Sequence, residues 1–352
     1  MSEIEYIFVS DLEGCIDKNP FKEEEDLQLK SLCDPEFFKA LDAKLSDNNN
    51  NIHVCFLGDY FDNGDKFMQS VINIAILKQK HKEKVHILLG NRDLNKFRIF
   101  YELEFTNEDF KGTNEKFGWN EGLGQSEEGE GEKGEGEEDK KEKVKKLLKH
   151  TMDAKYDHSD DEINALIEAF NPINFNNNDD IDTGEYTSEK SKELFKTAVK
   201  KIFKDGNIVE WINENNEGLL LSHGGGYSNS IYKKTLKLPD SSEDKYFEKL
   251  SRAFDLINVE PQNEDSNETP TIADIVKSHN DIYRKFIDNF NDTPTTEYFM
   301  IQAMGLKPTD GKDIMSFIET TPHNRDGENI KLKEGVTLPD GIKAVSYGHE
   351  SS

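Results

Sequence analysis

The sequence predicts an α/β fold with a largely parallel sheet at its centre. Three short apolar runs early in the chain, at residues 4–10, 54–57 and 85–89, each end in a polar loop. Residues 67–80 lie between the second and third runs and carry apolar side chains at helical spacing. A strand, a helix and a second strand in this order are typical of the parallel unit of α/β proteins.

The second of these runs shows why the loops matter. It stops at Gly58, and the carboxylates Asp59 and Asp62 follow within the sequence GDYFDNG. An apolar run stopped by glycine is typical of a buried strand that continues into a loop, and such loops collect binding groups in α/β sheets. We therefore expect Asp59 to point into a cleft shared by several loops.

Two further apolar runs, at 218–222 and 343–347, repeat this pattern late in the chain. The loops that follow the five runs carry the candidate metal ligands, which are Asp11, Glu13, Asp59, Asn91, His223 and His349. Carboxylates, imidazoles and an amide oxygen suit a pair of divalent ions, and Asp59 is the natural ligand to bridge two ions about 3.5–4 Å apart. Such a pair generates hydroxide near neutral pH and neutralises a phosphoryl group under attack. The alternative for the two histidines is an ordinary core or capping role, and Glu13 could instead accept hydrogen bonds from loop amides.

The charge and composition exclude several classes of partner. The formal net charge of -27 argues against nucleic acid, which needs a basic footprint, and against an anionic membrane surface. No apolar run approaches the roughly 20 residues that span a bilayer, and the N-terminus lacks the features of a secretory signal. The three cysteines are an odd number without close pairing, which suits a reducing compartment. We therefore expect a cytoplasmic protein with no nucleic-acid or membrane partner.

The composition changes abruptly in the middle of the chain. Residues 125–143 are almost all Glu, Gly and Lys, which predicts disorder because so little apolar surface cannot offset the entropy of ordering. Residues 144–204 are predicted to be helical in pieces. The predicted organisation is a core formed by 1–105 and 206–352, with an insertion at 106–205. The acidic stretch is most simply a solvated tether, and contact with a basic partner is the alternative.

Five short motifs, taken in order, resemble those of one enzyme family. The chain carries DLEG, GDYFDNG, GNRD, HGG and GHE, which are similar to the D-x-H-G, G-D-x-x-D-x-G, G-N-H-D/E, H-G-G and G-H motifs of the calcineurin-like metallophosphoesterases. The resemblance is nearest to the protein serine/threonine phosphatases. It implies a four-layer α-β-β-α sandwich of two mixed sheets, here with a helical and disordered insertion. It also implies a hydrolase with a dinuclear metal site.

The departures from these motifs alter the expected chemistry. Glu13 stands where the family has a metal-binding histidine, which favours hard ions, so we expect Mn²⁺, with Mg²⁺, Fe or Zn²⁺ as alternatives. Arg92 stands where the family's catalytic histidine protonates the leaving group, and arginine cannot do this because it is effectively always charged. Asp62, which supports that histidine in the family, is expected to pair with Arg92. Asn63 replaces an arginine that grips phosphate, and we expect Arg92 to take over that role.

The remaining candidates concern the phosphate group. The predicted catalytic residues are Asp62 and Arg92, and the predicted phosphate-binding residues are Arg92, Asn91, His323 and Arg325. His323 and Arg325 lie in a polar stretch predicted to be a loop, and they are candidates for a general acid or a phosphate clamp. Arg98 is interpreted as a salt-bridge residue.

These observations predict a phosphatase that hydrolyses a phosphomonoester with a metal-bridged hydroxide. A phosphoprotein is favoured over a small phosphate ester as the substrate. The first alternative is a catalytically inactive relative that binds metal or phosphate as a scaffold, which the loss of the proton donor favours. The second alternative is a nucleotide phosphodiesterase, which only the overall acidity argues against.

Overall fold

The computed structural model describes the chain in separate segments. They are residues 4–10, 12, 33–47, 49, 51–61, 64, 66–104, 137–152, 158–170, 180–181, 188–214, 217–223, 272–290, 323–324, 331–332 and 342–347. Within these segments the chain is a mixed α/β protein with a small parallel sheet and a second sheet that contains an antiparallel pair. The predicted fold class is therefore confirmed at this level.

The first sheet is parallel throughout, as the three early apolar runs predict. It contains β1 (Glu5–Val9), β2 (Ile52–Phe56) and β3 (Val85–Ile87), in the order β1-β2-β3. The register pairs Val9 with Phe56 and Phe56 with Ile87. All three strands therefore end at the same edge of the sheet, and the loops that follow them begin side by side.

Two helices bury one face of this sheet. Helix α1 (Pro35–Ser46) begins with a proline, and the Asp34 side chain caps it by accepting the Glu36 N–H at 3.0 Å. Helix α2 (Phe67–Lys80) connects β2 to β3, as the helical spacing predicts. Val54 and Phe56 of β2 are completely buried, so this helical layer and the sheet share one apolar core.

Five helices follow β3 or lie in the predicted insertion. They are α3 (Asn91–Asn95), α4 (Phe97–Glu104), α5 (Glu137–Met152), α6 (Asp160–Phe170) and α7 (Ser188–Asp205). Helix α5 begins inside the stretch 125–143 that was predicted to be disordered, so that prediction is wrong for 137–143. The reason is that Val144, Leu147 and Leu148 are buried, and the Glu and Lys residues before them are good helix formers that extend the same helix. Residues 125–136 lie outside the described segments.

A cluster of aromatic rings joins these helices to the N-terminal part of the chain. Its members are Phe61, Phe67, Phe97, Phe170, Phe195 and Phe203, all of them buried. The ring of Phe203 lies 4.6 Å from that of Phe97 and 6.1 Å from that of Phe61, measured between centroids. Residues 1–87 and 92–206 accordingly form one compact unit. The helices predicted as an insertion on the core therefore pack as part of that unit.

Residues 88–91 and 207–352 form the second unit. Its elements are β4 (Val209–Glu214), β5 (Glu217–Ser222), α8 (Ile272–Asp288), β6 (His323–Asn324), β7 (Lys331–Leu332) and β8 (Ile342–Tyr347). Strand β5 pairs with β4 in the antiparallel sense and with β8 in the parallel sense, and this sheet is mixed. The side chain of Asn280 in α8 donates to the Val209 carbonyl at 2.8 Å and accepts the Ile208 N–H at 3.0 Å, which fixes the start of β4.

Two observations concern the predicted location. In the described part of the chain, no helix has the length and apolarity needed to cross a membrane. Cys33 is disulfide-bonded, and disulfides are rare in cytosolic proteins. The disulfide at Cys33 therefore does not support the prediction of a reducing compartment, which was based on the cysteine count.

We expect the Phe203→Ala substitution to destabilise the protein by about 3–5 kcal/mol, because it leaves a cavity among packed aromatic rings. The control is Phe8→Ala, since the Phe8 side chain is 43 % exposed and its loss should matter much less. Urea denaturation followed by circular dichroism measures both. Equal losses from the two variants would contradict the assignment of the aromatic cluster to the core.

Candidate functional site

Asp59 lies directly after β2 and has an uncommon backbone conformation. Its φ is 57°, and that of the preceding Gly58 is 97°, so two successive residues are left-handed. Asp is one of the few residues other than Gly that tolerate this region. The residue is only 2 % exposed. Strained backbone positions cluster at functional sites, so this conformation makes Asp59 a candidate, and its role as a metal ligand stays a prediction.

Asp93 holds this turn from the neighbouring loop. It lies in α3, after β3, and is completely buried. Its Oδ2 accepts the Asp59 N–H and its Oδ1 accepts the Tyr60 N–H, each at 2.8 Å. One carboxylate therefore binds two consecutive amides of the left-handed turn. The sequence reasoning assigned no role to Asp93, although it is the last residue of the GNRD motif.

Arg92 contacts the Asp59 carboxylate through its main chain and its side chain. The Arg92 N–H donates to Asp59 Oδ1 at 3.0 Å, and the guanidinium Nε lies 3.5 Å from Oδ2. The side chains of Arg92 and Asp59 are 20 % and 3 % exposed, respectively. The partner predicted for Arg92 was Asp62, which lies outside the described residues. The structure thus adds an ion pair with Asp59 that the motif comparison did not foresee.

Further positive charge lies behind this pair. The Lys96 Nζ donates to the Arg92 carbonyl at 3.2 Å, and both Lys96 and Arg98 are buried. Buried cations are costly unless they are paired or hydrogen-bonded. Arg92 and Lys96 therefore place two basic side chains next to the Asp59 turn, in a chain that is strongly acidic overall.

Of the other predicted residues, the structure describes some and not others. His223 follows β5 and is completely buried, which agrees with its prediction as a strand-end residue. Asn91 begins α3, and His323 lies in β6 rather than in the predicted loop. The predicted candidates outside the described residues are Asp11, Glu13, Asp62, Arg325 and His349.

The implied cofactor is a pair of divalent ions, and the described residues test it in part. Asp59 and His223 are of the expected ligand types, and each is buried at the end of a strand. No group of three or more His, Cys, Asp or Glu side chains comes together within the described segments. Arg92 donors face both oxygens of Asp59, so an ion at this carboxylate has to compete with the guanidinium. The ligand types fit divalent ions, and Arg92 weakens the fit at Asp59.

Comparison with known proteins does not extend this assignment. No family model, no curated protein and no solved structure matches the chain. The sequence motifs and the contacts of Asp59, Arg92 and Asp93 are therefore the features that bear on function.

We expect Asp59→Gly to be more stable than Asp59→Ala by about 1–2 kcal/mol, because alanine is strained at a left-handed position and glycine is not. Both variants lose the same carboxylate, so the difference isolates the backbone. Urea denaturation gives the two free energies of unfolding.

The matched control is the same pair of substitutions at Asp42, which lies inside helix α1. There alanine should be the more stable residue by about 1 kcal/mol, because glycine is a poor helix former. The same order of stability at both positions would contradict the left-handed conformation of Asp59.

Proposed function

We propose that the chain is a metal-dependent phosphoesterase of the calcineurin-like type, with the four-layer sandwich of that family and a phosphorylated substrate. The observation that carries the proposal is the contact between Asp59 and Arg92 at the edge where β2 and β3 end. A buried carboxylate and an arginine at such an edge are typical of sites that bind a charged substrate.

The cofactor in this proposal is a pair of divalent ions, with Mn²⁺ as the first choice. The resemblance assigns Asp11, Glu13, Asp59, Asn91, His223 and His349 to hold them. When bound, the ions supply a nucleophile from water near neutral pH and offset the charge of the phosphoryl group. Asp59 has the buried position and the ligand type that this role requires.

Arg92 determines which substrates the proposed enzyme favours. Its guanidinium suits phosphate oxygens because its N–H donors form a planar fork. It cannot protonate a leaving group, since it keeps its charge at all relevant pH values. Esters whose leaving group departs without a proton are therefore the better substrates. An aryl phosphate, such as a phosphotyrosine side chain, fits this condition better than an alkyl phosphate.

The second candidate function is phosphate binding without catalysis. The observation that favours it is the same ion pair, because the Arg92 guanidinium compensates the charge of the buried Asp59 carboxylate. A relative that had lost its metal ions would need such a replacement charge. It would keep a basic residue for anion binding and serve as a scaffold. No contact in the described residues specifically favours the nucleotide phosphodiesterase.

We expect the metal-stripped protein to hydrolyse an aryl phosphate only after Mn²⁺ is added, and Asp59→Asn to lower kcat/KM at least a hundredfold. The reason is that asparagine removes the negative charge that a bridging ligand supplies. Release of the coloured phenol measures the rate. Absence of turnover despite confirmed Mn²⁺ binding would leave the scaffold function.

The matched control is Asp42→Asn. The Asp42 carboxylate accepts hydrogen bonds from Lys80 at 2.9 Å and His81 at 2.7 Å. Burial acts to raise the pKa of Asp42, but these two hydrogen bonds and the neighbouring charges outweigh it and lower the pKa. Asp42 is therefore ionised at neutral pH, and its replacement removes the same charge at a residue that is not among the predicted ligands. Its turnover should stay within about twofold of the original protein, since a surface ion pair contributes little to stability.

We expect Arg92→His to restore hydrolysis of an alkyl phosphate relative to Arg92→Gln, by about tenfold or more. Both variants lose the guanidinium, but only histidine can donate a proton to the leaving group, and general acid catalysis contributes about 10²–10⁴-fold. The same two variants should differ much less on an aryl phosphate. If Arg92→His and Arg92→Gln hydrolysed the alkyl phosphate at equal rates, and the aryl phosphate as well, the placement of residue 92 beside the leaving group would be contradicted.

A further inference from the structure

The turn at Gly58 and Asp59 depends on a contact with a distant part of the sequence. The two amides that follow the left-handed Gly58 point to one side chain, and Asp93 accepts both at 2.8 Å. Asp93 is 34 residues further along the chain from Asp59 and has no exposed surface. The contact therefore joins the loop after β2 to the helix after β3 inside the protein.

Each oxygen of Asp93 has its own amide donor, which explains why a carboxylate is needed there. A carboxylate presents two acceptor atoms, whereas an asparagine side chain presents one acceptor and one donor. With asparagine at position 93, one backbone N–H would face an NH₂ group. A buried donor without an acceptor is expensive, so the turn would have to change its conformation.

The direction of the Asp59 carboxylate follows from this turn. The backbone of Asp59 is fixed by its own N–H and by that of Tyr60, and the Cα–Cβ bond follows from the backbone. Arg92, which precedes Asp93 in the same short helix, then contacts both oxygens of Asp59. Within α3, Asp93 thus fixes the main chain of Asp59, and the adjacent residue Arg92 contacts its side chain.

We propose that Asp93 is a positioning residue, which holds the Gly58–Tyr60 turn so that the Asp59 carboxylate is presented in the orientation needed to bind a divalent cation. This inference rests on the proposed function, because it concerns the binding of a cation by Asp59. Asp93 acts through the amides of the turn and does not itself touch the cation.

The experiment compares Asp93→Asn with the original protein and with Asp42→Asn. The first readout is hydrogen exchange of the Asp59 and Tyr60 amides, measured by nuclear magnetic resonance. The second is the affinity for Mn²⁺ alone, measured by calorimetry at a temperature where circular dichroism shows each protein to be folded. We expect exchange of the two amides to accelerate at least tenfold and the Mn²⁺ Kd to rise at least tenfold in Asp93→Asn. Neither value should change more than twofold in Asp42→Asn.

The outcomes separate this inference from the proposed function. Unchanged exchange of both amides in Asp93→Asn would overturn the inference, as would faster exchange with an unchanged Mn²⁺ Kd, since Asp93 would then be merely structural. If the original protein binds no Mn²⁺, the proposed function fails on its own, and with it the cation-directed part of the inference. The exchange data then still show whether Asp93 holds the turn.

If Asp93→Asn does not fold, the original protein provides the test. Exchange of the Asp59 and Tyr60 amides should then be at least tenfold slower than that of the exposed Asn49 amide, which is bonded to Asp47 within a surface turn. Exchange at equal rates would overturn the inference.

Discussion

The pair of hydrogen bonds from the Asp59 and Tyr60 amides to Asp93 is the constraint on which the candidate site depends. A strand that ends in a left-handed glycine and a left-handed aspartate has no regular partner for its next amides. Buried amides need acceptors, and here a single carboxylate from the following loop satisfies two of them. The strain at Asp59 therefore persists because a buried interaction elsewhere in the chain compensates it.

The parallel sheet explains how Asp93 comes to be in reach. In the register of β1, β2 and β3, the strands end level with one another, so the loops after β2 and β3 leave the sheet as neighbours. The buried faces of α1 and α2 fix that register, because a slip of one residue would turn the apolar side chains of β2 away from the helices. The aromatic cluster around Phe203 stabilises the same unit from the side of the later helices. Packing of the core and geometry of the site are thus consequences of the same sheet.

Sequence reasoning predicted the parts of this arrangement that have a local signal. The ends of β2 and β5 were predictable because an apolar run stops at a glycine or a histidine, and Asp59 and His223 are found there. The start of α5 was not predictable, because the composition of 125–143 is uniform and the buried residues of the helix come later in the sequence. Asp93 was missed since its role depends on amides far away in the sequence, and no local pattern reports such a contact.

The ion pair between Asp59 and Arg92 connects the two candidate functions. A buried carboxylate needs a compensating positive charge, and Arg92 supplies one within the chain itself. While Arg92 is held by Asp59, part of its attraction for a phosphate group is already used. For Asp59 to bind a metal ion, the Arg92 guanidinium has to give up its contact with the carboxylate. The guanidinium then becomes available to an anion. Cation binding to Asp59 and anion binding to Arg92 should therefore favour each other. Each ligand breaks the same ion pair, and linkage makes the coupling reciprocal. The strength of this one ion pair therefore separates the two proposed functions, because a weak pair lets Asp59 bind a metal ion, as metal-dependent hydrolysis requires, whereas a tight pair opposes metal binding and hydrolysis.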